Sequence, residues 1–297
     1  MLINSMNQEE YQYIDLIKNI FENGSFEETR NGKTQSIFGN MMRFSLKHGQ
    51  IPILTTKKTA WKTCLKELLW FIRGDTDNTI LKQQNVHIWD ANASRAFLDS
   101  RNLQNNKEDD LGPVYGFQWR HYNAPYENCH TDYTNKGIDQ LLEAINILKD
   151  PTKRTSRRII VNAWNPCQID EMALPPCHVL FQFHVTENKY LSCSLYQRSG
   201  DVGLGVPFNI ASYSFLIHII AKHCDLEPYE FVYFLGNAHI YEDHFEALKT
   251  QIEREPKCFP KITIKNKHEN IDDYCIEDVE FLEEYLYHDS IKMKMSA

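Results

Sequence analysis

This chain of 297 residues has no run of eighteen or more apolar residues, which excludes a spanning helix of ordinary length. Its start, Met1-Leu2-Ile3-Asn4-Ser5-Met6-Asn7, has no basic stretch and no long apolar run, so no secretory leader is read there. A surplus of cations is missing too. Lys and Arg number 32 against 40 Asp and Glu, a formal net charge of -8. Broad nucleic-acid binding needs many cations against phosphate and is not expected. The eight cysteines include no Cys-x-x-Cys pair. Without an export signal, their scatter points to thiols in a reducing compartment rather than disulfides. It also offers no paired ligands for a structural zinc, so no metal is expected. Internal repeats and low-complexity segments are absent.

What is present suits a globular chain with a core: 42% hydrophobic and 24% charged residues. Over 8-22, Tyr11, Ile14, Ile17, Ile20 and Phe21 fall at helical spacing, and Gly24 follows. Trp61, Leu65, Leu68, Leu69 and Ile72 repeat the pattern over 60-73, and a third helix is expected over 137-149, ahead of Pro151. The period then changes, and strands are expected over 158-164, 178-185 and 189-197. The stretch 209-224 is apolar nearly all round, as befits a helix in the middle of a fold. A strand over 231-235, a helix over 241-253 and a short strand over 261-264 complete the reading. Without regular alternation, the expected class is α+β, a mixed β-sheet with helices on one face. One domain is expected over 1-297, with 1-27 as an N-terminal extension and first helix. The polar stretch 99-110 reads as an exposed loop.

The chemistry centres on Pro175-Pro176-Cys177-His178 and on Gln197-Arg198-Ser199-Gly200-Asp201. A cysteine attacks as its thiolate and needs cationic or hydrogen-bonding neighbours. The short link Thr186-Glu187-Asn188 predicts a hairpin that sets 197-199 opposite 177-179 and brings Arg198 near Cys177. A structural arginine at a strand end explains Arg198 equally well, and the residues alone leave both open. Four cations crowd Lys153-Arg154-Thr155-Ser156-Arg157-Arg158, as an anion clamp or as a solvated loop. Gly200-Asp201-Val202-Gly203-Leu204-Gly205 lacks the order of a triphosphate loop and reads as a tight turn or the seat of a flat ligand. Asp201, His239 and Tyr241 add polar groups beside apolar elements. Asn209 is either a helix N-cap or an amide complementary to a pyrimidine edge. Glu67 lies in an apolar helical stretch; a carboxylate there is usually paired or exposed, and burial would instead raise its pKa toward neutrality.

Longer strings then come into view: Ser36-Ile37-Phe38-Gly39, Leu54-Thr55-Thr56-Lys57-Lys58, Glu67-Leu68-Leu69-Trp70-Phe71, Ile88-Trp89-Asp90-Ala91-Asn92, Gly112-Pro113-Val114-Tyr115-Gly116-Phe117-Gln118-Trp119-Arg120, Met172-Ala173-Leu174-Pro175-Pro176-Cys177-His178, and 197-212. On these the chain closely resembles the folate-dependent thymidylate synthases. The resemblance implies reductive methylation of dUMP to dTMP, with 5,10-methylenetetrahydrofolate as co-substrate, dihydrofolate as product, and no metal or flavin. Cys177 would be the nucleophile, in a catalytic set with Glu67, Tyr115, His178, Arg198 and Asn209. Arg30, Arg157, Arg158, Gln197, Arg198, Ser199, Gly200, Asp201, Asn209, His239 and Tyr241 would bind dUMP. Lys57, Ile88, Trp89, Asn92, Asp201, Leu204, Gly205, Phe208 and Ser296 would form the folate side. The tail ending at Ala297 would close over both ligands. A homodimer is implied, joined through the other face of the sheet, with Arg157 and Arg158 crossing to the partner's phosphate site. The implied compartment is the cytoplasm, with the nucleus also open. Asn237 departs from the family's usual Asp, the 151-156 loop is longer than usual, and no fused dihydrofolate reductase is expected within these 297 residues. The rival readings are a deoxypyrimidine nucleotide hydroxymethylase on the same fold and an inactive nucleic-acid-binding regulatory protein.

Overall fold

The apolar stripe at the start of the chain folds as helix α1 (Gln8–Asn23) in the computed structural model, which describes residues 7–29 and 32–295. The Asn7 side chain caps it by accepting from the Glu10 amide. Ile14, Ile17 and Ile20 are fully buried, as the spacing predicts. Next come β1 (Ser25–Thr29) and β2 (Gly32–Ser45), then α2 (Trp61–Ile72), α3 (Asn78–Gln83), α4 (Asp90–Ala93), α5 (Arg95–Ser100), α6 (Tyr115–His121) and α7 (Gln140–Lys149). The second half holds β3 (Ile160–Asn162), β4 (His178–Thr186), β5 (Tyr190–Asp201), α8 (Gly205–His223), β6 (Glu227–Tyr241), α9 (Phe245–Ile252), β7 (Ile262–Ile264) and β8 (Val279–Phe281).

The main sheet has the order β1-β2-β6-β5-β4-β3. Its neighbours are antiparallel except β5 and β6, which run parallel. A parallel pair needs a crossover, and α8 supplies it. Helix α8 is apolar nearly all round because it lies between the sheet and α2, with Ile210, Phe215, Leu216 and Ile217 fully buried. Trp70, Phe44 and Phe231 join the same core, each worth about 1.5–3 kcal/mol relative to an exposed side chain. The fold is α+β with a mixed sheet. Its opposite face, among the described residues, stays bare. Met41 pairs across with Phe234, Phe234 with Tyr196, and Tyr196 with Leu180. The first three are 48%, 43% and 40% exposed.

Several expected bounds are corrected. The strand over 231-235 is the fifteen-residue β6, because pairing on both flanks carries polar Glu227, Asn237 and His239 into the ladder. The strand over 189-197 runs on to Asp201, which pairs with His239. The strand over 158-164 shrinks to Ile160–Asn162. The helix over 241-253 starts only at Phe245, after a 3-10 turn at Glu242–His244. Hairpin β1–β2 was not expected, because apolar Phe38 and Met41 are exposed along β2 and hide the alternation. The 99-110 stretch is not simply exposed: Leu103 and Asp110 are buried, and Asp110 accepts from the Gly112 amide and the Tyr126 hydroxyl. Among the described residues, no helix is long and apolar enough to cross a membrane.

Candidate active site

The hairpin predicted from Thr186-Glu187-Asn188 forms. Glu187 and Asn188 both take left-handed φ, the backbone of a tight hairpin turn that matches strand twist. It sets His178 opposite Gln197, and the Arg198 amide donates to the Cys177 carbonyl at 2.9 Å. The Arg198 side chain turns back over the same segment. Its Nε and Nη2 donate to the carbonyls of Pro176 and Pro175, each at 2.9 Å, and its guanidinium lies 5.5 Å from the Trp164 ring centre. The Cys177 amide donates to the Tyr115 hydroxyl at 2.9 Å, and the Tyr115 ring stacks on Phe71 of α2. The nucleophile candidate is thus fixed from three elements. Burial pushes its thiol above the ordinary range, while the Arg198 charge and the Tyr115 hydroxyl pull it back.

Glu67 faces inward from α2. Burial raises its pKa to about 7, offset by the Trp89 indole, which donates to Oε1 at 2.7 Å. His178 sits edge-on between the rings of Tyr115 and Tyr213. Burial lowers its pKa to about 4, with Asn209 acting in the opposite sense, so the ring is neutral at pH 7. Its Nδ1 and the Nδ2 of Asn92 are buried without a hydrogen-bond partner among the described residues. Orphaned polar atoms of this kind suit a polar ligand. Asn209 is not the helix N-cap, since α8 begins at Gly205; it lies on the second turn and lines the cleft.

These groups surround one cleft of about 400 Å³. Cys177, Gln197, Arg198, Ser199, Asn209, His239 and Tyr241 line one part of its wall, and Ile88, Trp89, Asn92, Asp201, Leu204, Gly205 and Phe208 add to it. Gln197 is held by the Tyr233 hydroxyl at 2.6 Å. His239 Nδ1 lies 3.0 Å from Asn237 Oδ1, and Asn237 Nδ2 donates to Ser36 Oγ at 3.3 Å. Asp201 Oδ1 accepts from the Gly203 amide at 2.8 Å.

A family model described as thymidylate synthase matches residues 11–297. The chain belongs to the thymidylate synthase family. It is 51% identical over 307 residues to the thymidylate synthase of Saccharomyces cerevisiae, covering all of both chains. It is 50% identical to the bifunctional dihydrofolate reductase-thymidylate synthase of Leishmania major, over 98% of this chain and 56% of that protein. It is 52% identical to a probable thymidylate synthase of Schizosaccharomyces pombe, over 98% of this chain and 48% of that one. The chain therefore spans about half the length of several curated relatives it matches.

Not every residue carried over from the family reaches the cleft. Lys57 is buried beside it, donating to the Gly203 carbonyl, and burial lowers its pKa to about 8. Gly200 packs behind it, where a Cβ would meet Leu235 Cδ2 at 2.8 Å. Arg157 and Arg158 are exposed and do not line it. Arg154 is no part of an anion clamp: it is buried, and its guanidinium donates to the carbonyls of Lys149 and Asn188. Arg30 and Ser296 lie outside the described residues. The sequence reading missed Phe71 and Leu174, which also line the cleft; both stand inside quoted motifs, where they read as core. Met295, in the tail expected to close over the ligands, lines it too. Among the described residues one group could hold a metal ion, Asp77, Cys129 and His130, and none of its members lines the cleft.

Proposed function

We propose that this chain converts dUMP to dTMP, taking a one-carbon unit and a hydride from 5,10-methylenetetrahydrofolate and releasing dihydrofolate. The observation that carries this reading is Cys177, held in the cleft by the Tyr115 hydroxyl and backed by Arg198. Carbon 5 of uracil is a poor nucleophile. Addition of the Cys177 sulfur at C6 makes an enolate whose C5 attacks the folate methylene, so one hard step becomes two easier ones. Arg198 and Ser199 then serve the phosphate, with Arg157 and Arg158 of a second copy. His239 and Tyr241 serve the ribose, and Asn209 the base edge. Glu67, with a pKa near 7, moves protons at O4 and at the folate. Tyr115 belongs to the network that takes the C5 proton. Trp89, Asn92, Leu204, Phe208 and Asp201 form the pterin side. Last, hydride passes from the folate to the exocyclic carbon and the sulfur leaves.

The second copy is part of the proposal. The bare row Met41, Phe234, Tyr196 and Leu180 is an apolar surface of the kind that dimer interfaces bury. A reducing compartment, the cytoplasm, suits a chain that works through a thiol.

The deciding experiment incubates the chain with a fluorinated dUMP analogue and the folate, then maps the trapped adduct by mass spectrometry. Linkage at Cys177 is expected, and linkage elsewhere or none at all refutes the reading. With dUMP itself, dTMP and dihydrofolate should appear together. A hydroxymethylated nucleotide without dihydrofolate would establish the rival chemistry instead.

A further inference from the structure

Strand β6 ends at Tyr241, and the 3-10 turn Glu242–His244 tucks the His244 side chain out of solvent, 0% exposed. Its two ring nitrogens meet different parts of the molecule. Nε2 lies 2.7 Å from the carbonyl oxygen of Lys294, in the C-terminal tail. A carbonyl only accepts, so Nε2 carries the hydrogen. Nδ1 lies 3.6 Å from Oδ1 of Asp201, the same oxygen that accepts from the Gly203 amide. That distance is too long for a hydrogen bond, and Nδ1 is buried without one among the described residues. Gly203 makes this approach feasible. A Cβ there would stand 2.5 Å from His244 Nδ1 and 3.1 Å from Met293 Sδ. Tail, glycine turn and histidine therefore meet at one point, and from it Met295 and Asp201 both reach the cleft wall.

We propose that His244 is a positioning residue that latches the C-terminal tail and ties its closure to the orientation of Asp201, so that the latch favours the folate over the nucleotide. The proposal rests on the reading of Asp201 as the pterin contact. It follows from connectivity: the imidazole meets both a tail carbonyl and the Asp201 loop by the contacts above. Burial works against charge on the ring, but the Asp201 carboxylate, the Lys294 carbonyl and the Asp243 carboxylate, 3.8 Å from Nε2, outweigh it and hold its pKa above the ordinary value. A charged ring would pair with Asp201 when the tail is down. If the tail lifts, the ring loses its carbonyl and Asp201 loses a fixed neighbour.

Trypsin can read the latch directly, because Lys292 and Lys294 are cleavage sites within the tail. The full chain, as wild type, His244→Ala and His244→Gln, is digested briefly with dUMP and a non-reacting folate analogue bound, and tail loss is followed by mass spectrometry. Loss of one buried hydrogen bond should make His244→Ala lose its tail about tenfold faster. The KM for the folate should rise by a similar factor, about tenfold, with that for dUMP within about twofold. Glutamine keeps an N–H donor but no charge, so His244→Gln should restore tail protection more than the folate KM. It also carries the test if the alanine variant does not fold. Unchanged tail protection in a folded variant overturns the latch. Faster tail loss with an unchanged folate KM, or with both KM values raised alike, overturns the coupling. The digestion arm needs no turnover, so a failed latch is distinguishable from a failed assignment of the reaction.

Discussion

The Trp89 indole donates to the Glu67 carboxylate at 2.7 Å, and this single neutral donor is what offsets burial at Glu67. A buried carboxylate with a cationic partner would stay ionised. Glu67 instead has its pKa raised to about 7, where it can both give and take a proton at the working pH. The pairing crosses from α2 to the residue preceding α4, so the tuning depends on tertiary structure.

Trp89→Phe should move the pH profile of turnover. The indole N–H stabilises the ionised carboxylate, so removing it favours the protonated form and raises the Glu67 pKa further. The limb that reports Glu67 should shift to higher pH, measured as kcat against pH with both substrates saturating. A shift to lower pH would mean that another group controls that limb.

Glu67→Gln separates stability from activity. The folded pKa of about 7 stands above the ordinary carboxyl value of 4.5, so between those values the folded chain holds a proton that the unfolded chain has released. Stability falls as pH rises through that window and stays reduced above it, by up to ~3 kcal/mol on the shift alone. The glutamine variant lacks this loss. It should gain stability over the wild type at pH 8 more than at pH 5 in urea unfolding, while turnover drops ~10²–10⁴-fold.

How much of this was legible before the structure divides along physical lines. The hairpin that brings Arg198 near Cys177 was readable from its short link, but the register shift between His178 and Leu180, which sets the pairing beside Cys177, was not. The apolar neighbours of Glu67 on α2 left open whether its carboxylate is exposed, paired or buried, and only the packing of α2 makes it buried. Arg198's hold on the Pro175 and Pro176 carbonyls was not readable, since backbone oxygens leave no mark in a sequence. Nor was the length of β6, whose polar ends are stranded only by partners far along the chain. Arg154 looked like its neighbours Lys153 and Arg157, and only tertiary contacts separate the buried structural arginine from the exposed ones.

Arg198→Ala should blunt the thiol as well as weaken phosphate binding. Burial raises the Cys177 pKa, and the guanidinium is the largest influence pulling it down. Without it the thiolate fraction at neutral pH shrinks, and alkylation of Cys177 by iodoacetamide should reach its midpoint at higher pH. Peptide mapping would follow Cys177 alone among the cysteines. An unchanged midpoint would restrict Arg198 to the phosphate.

Asn209→Asp should turn base preference. The amide presents one donor and one acceptor, whereas a carboxyl presents a different pattern to the pyrimidine edge. Asn209 lines the cleft beside a neutral His178. Relative kcat/KM for dUMP and dCMP should shift toward the cytosine nucleotide, and equal loss on both would remove Asn209 from base recognition.

Mixing two dead variants tests the proposed dimer. Cys177→Ala lacks the nucleophile, and Arg157→Ala lacks a cation that is exposed and away from its own cleft. If Arg157 serves the neighbouring copy, a heterodimer rebuilds one working site: Cys177 comes from the arginine variant and Arg157 from the cysteine variant. Random reassortment of equal amounts makes half the dimers mixed, each with one of two sites intact, so about a quarter of wild-type activity should return. Each variant alone must stay inactive under the same conditions. Recovery should also fail when Phe234→Lys is built into both chains, because a charge then stands in the middle of the bare apolar row. No recovery from two folded, reassorted variants would place Arg157 outside the neighbouring site.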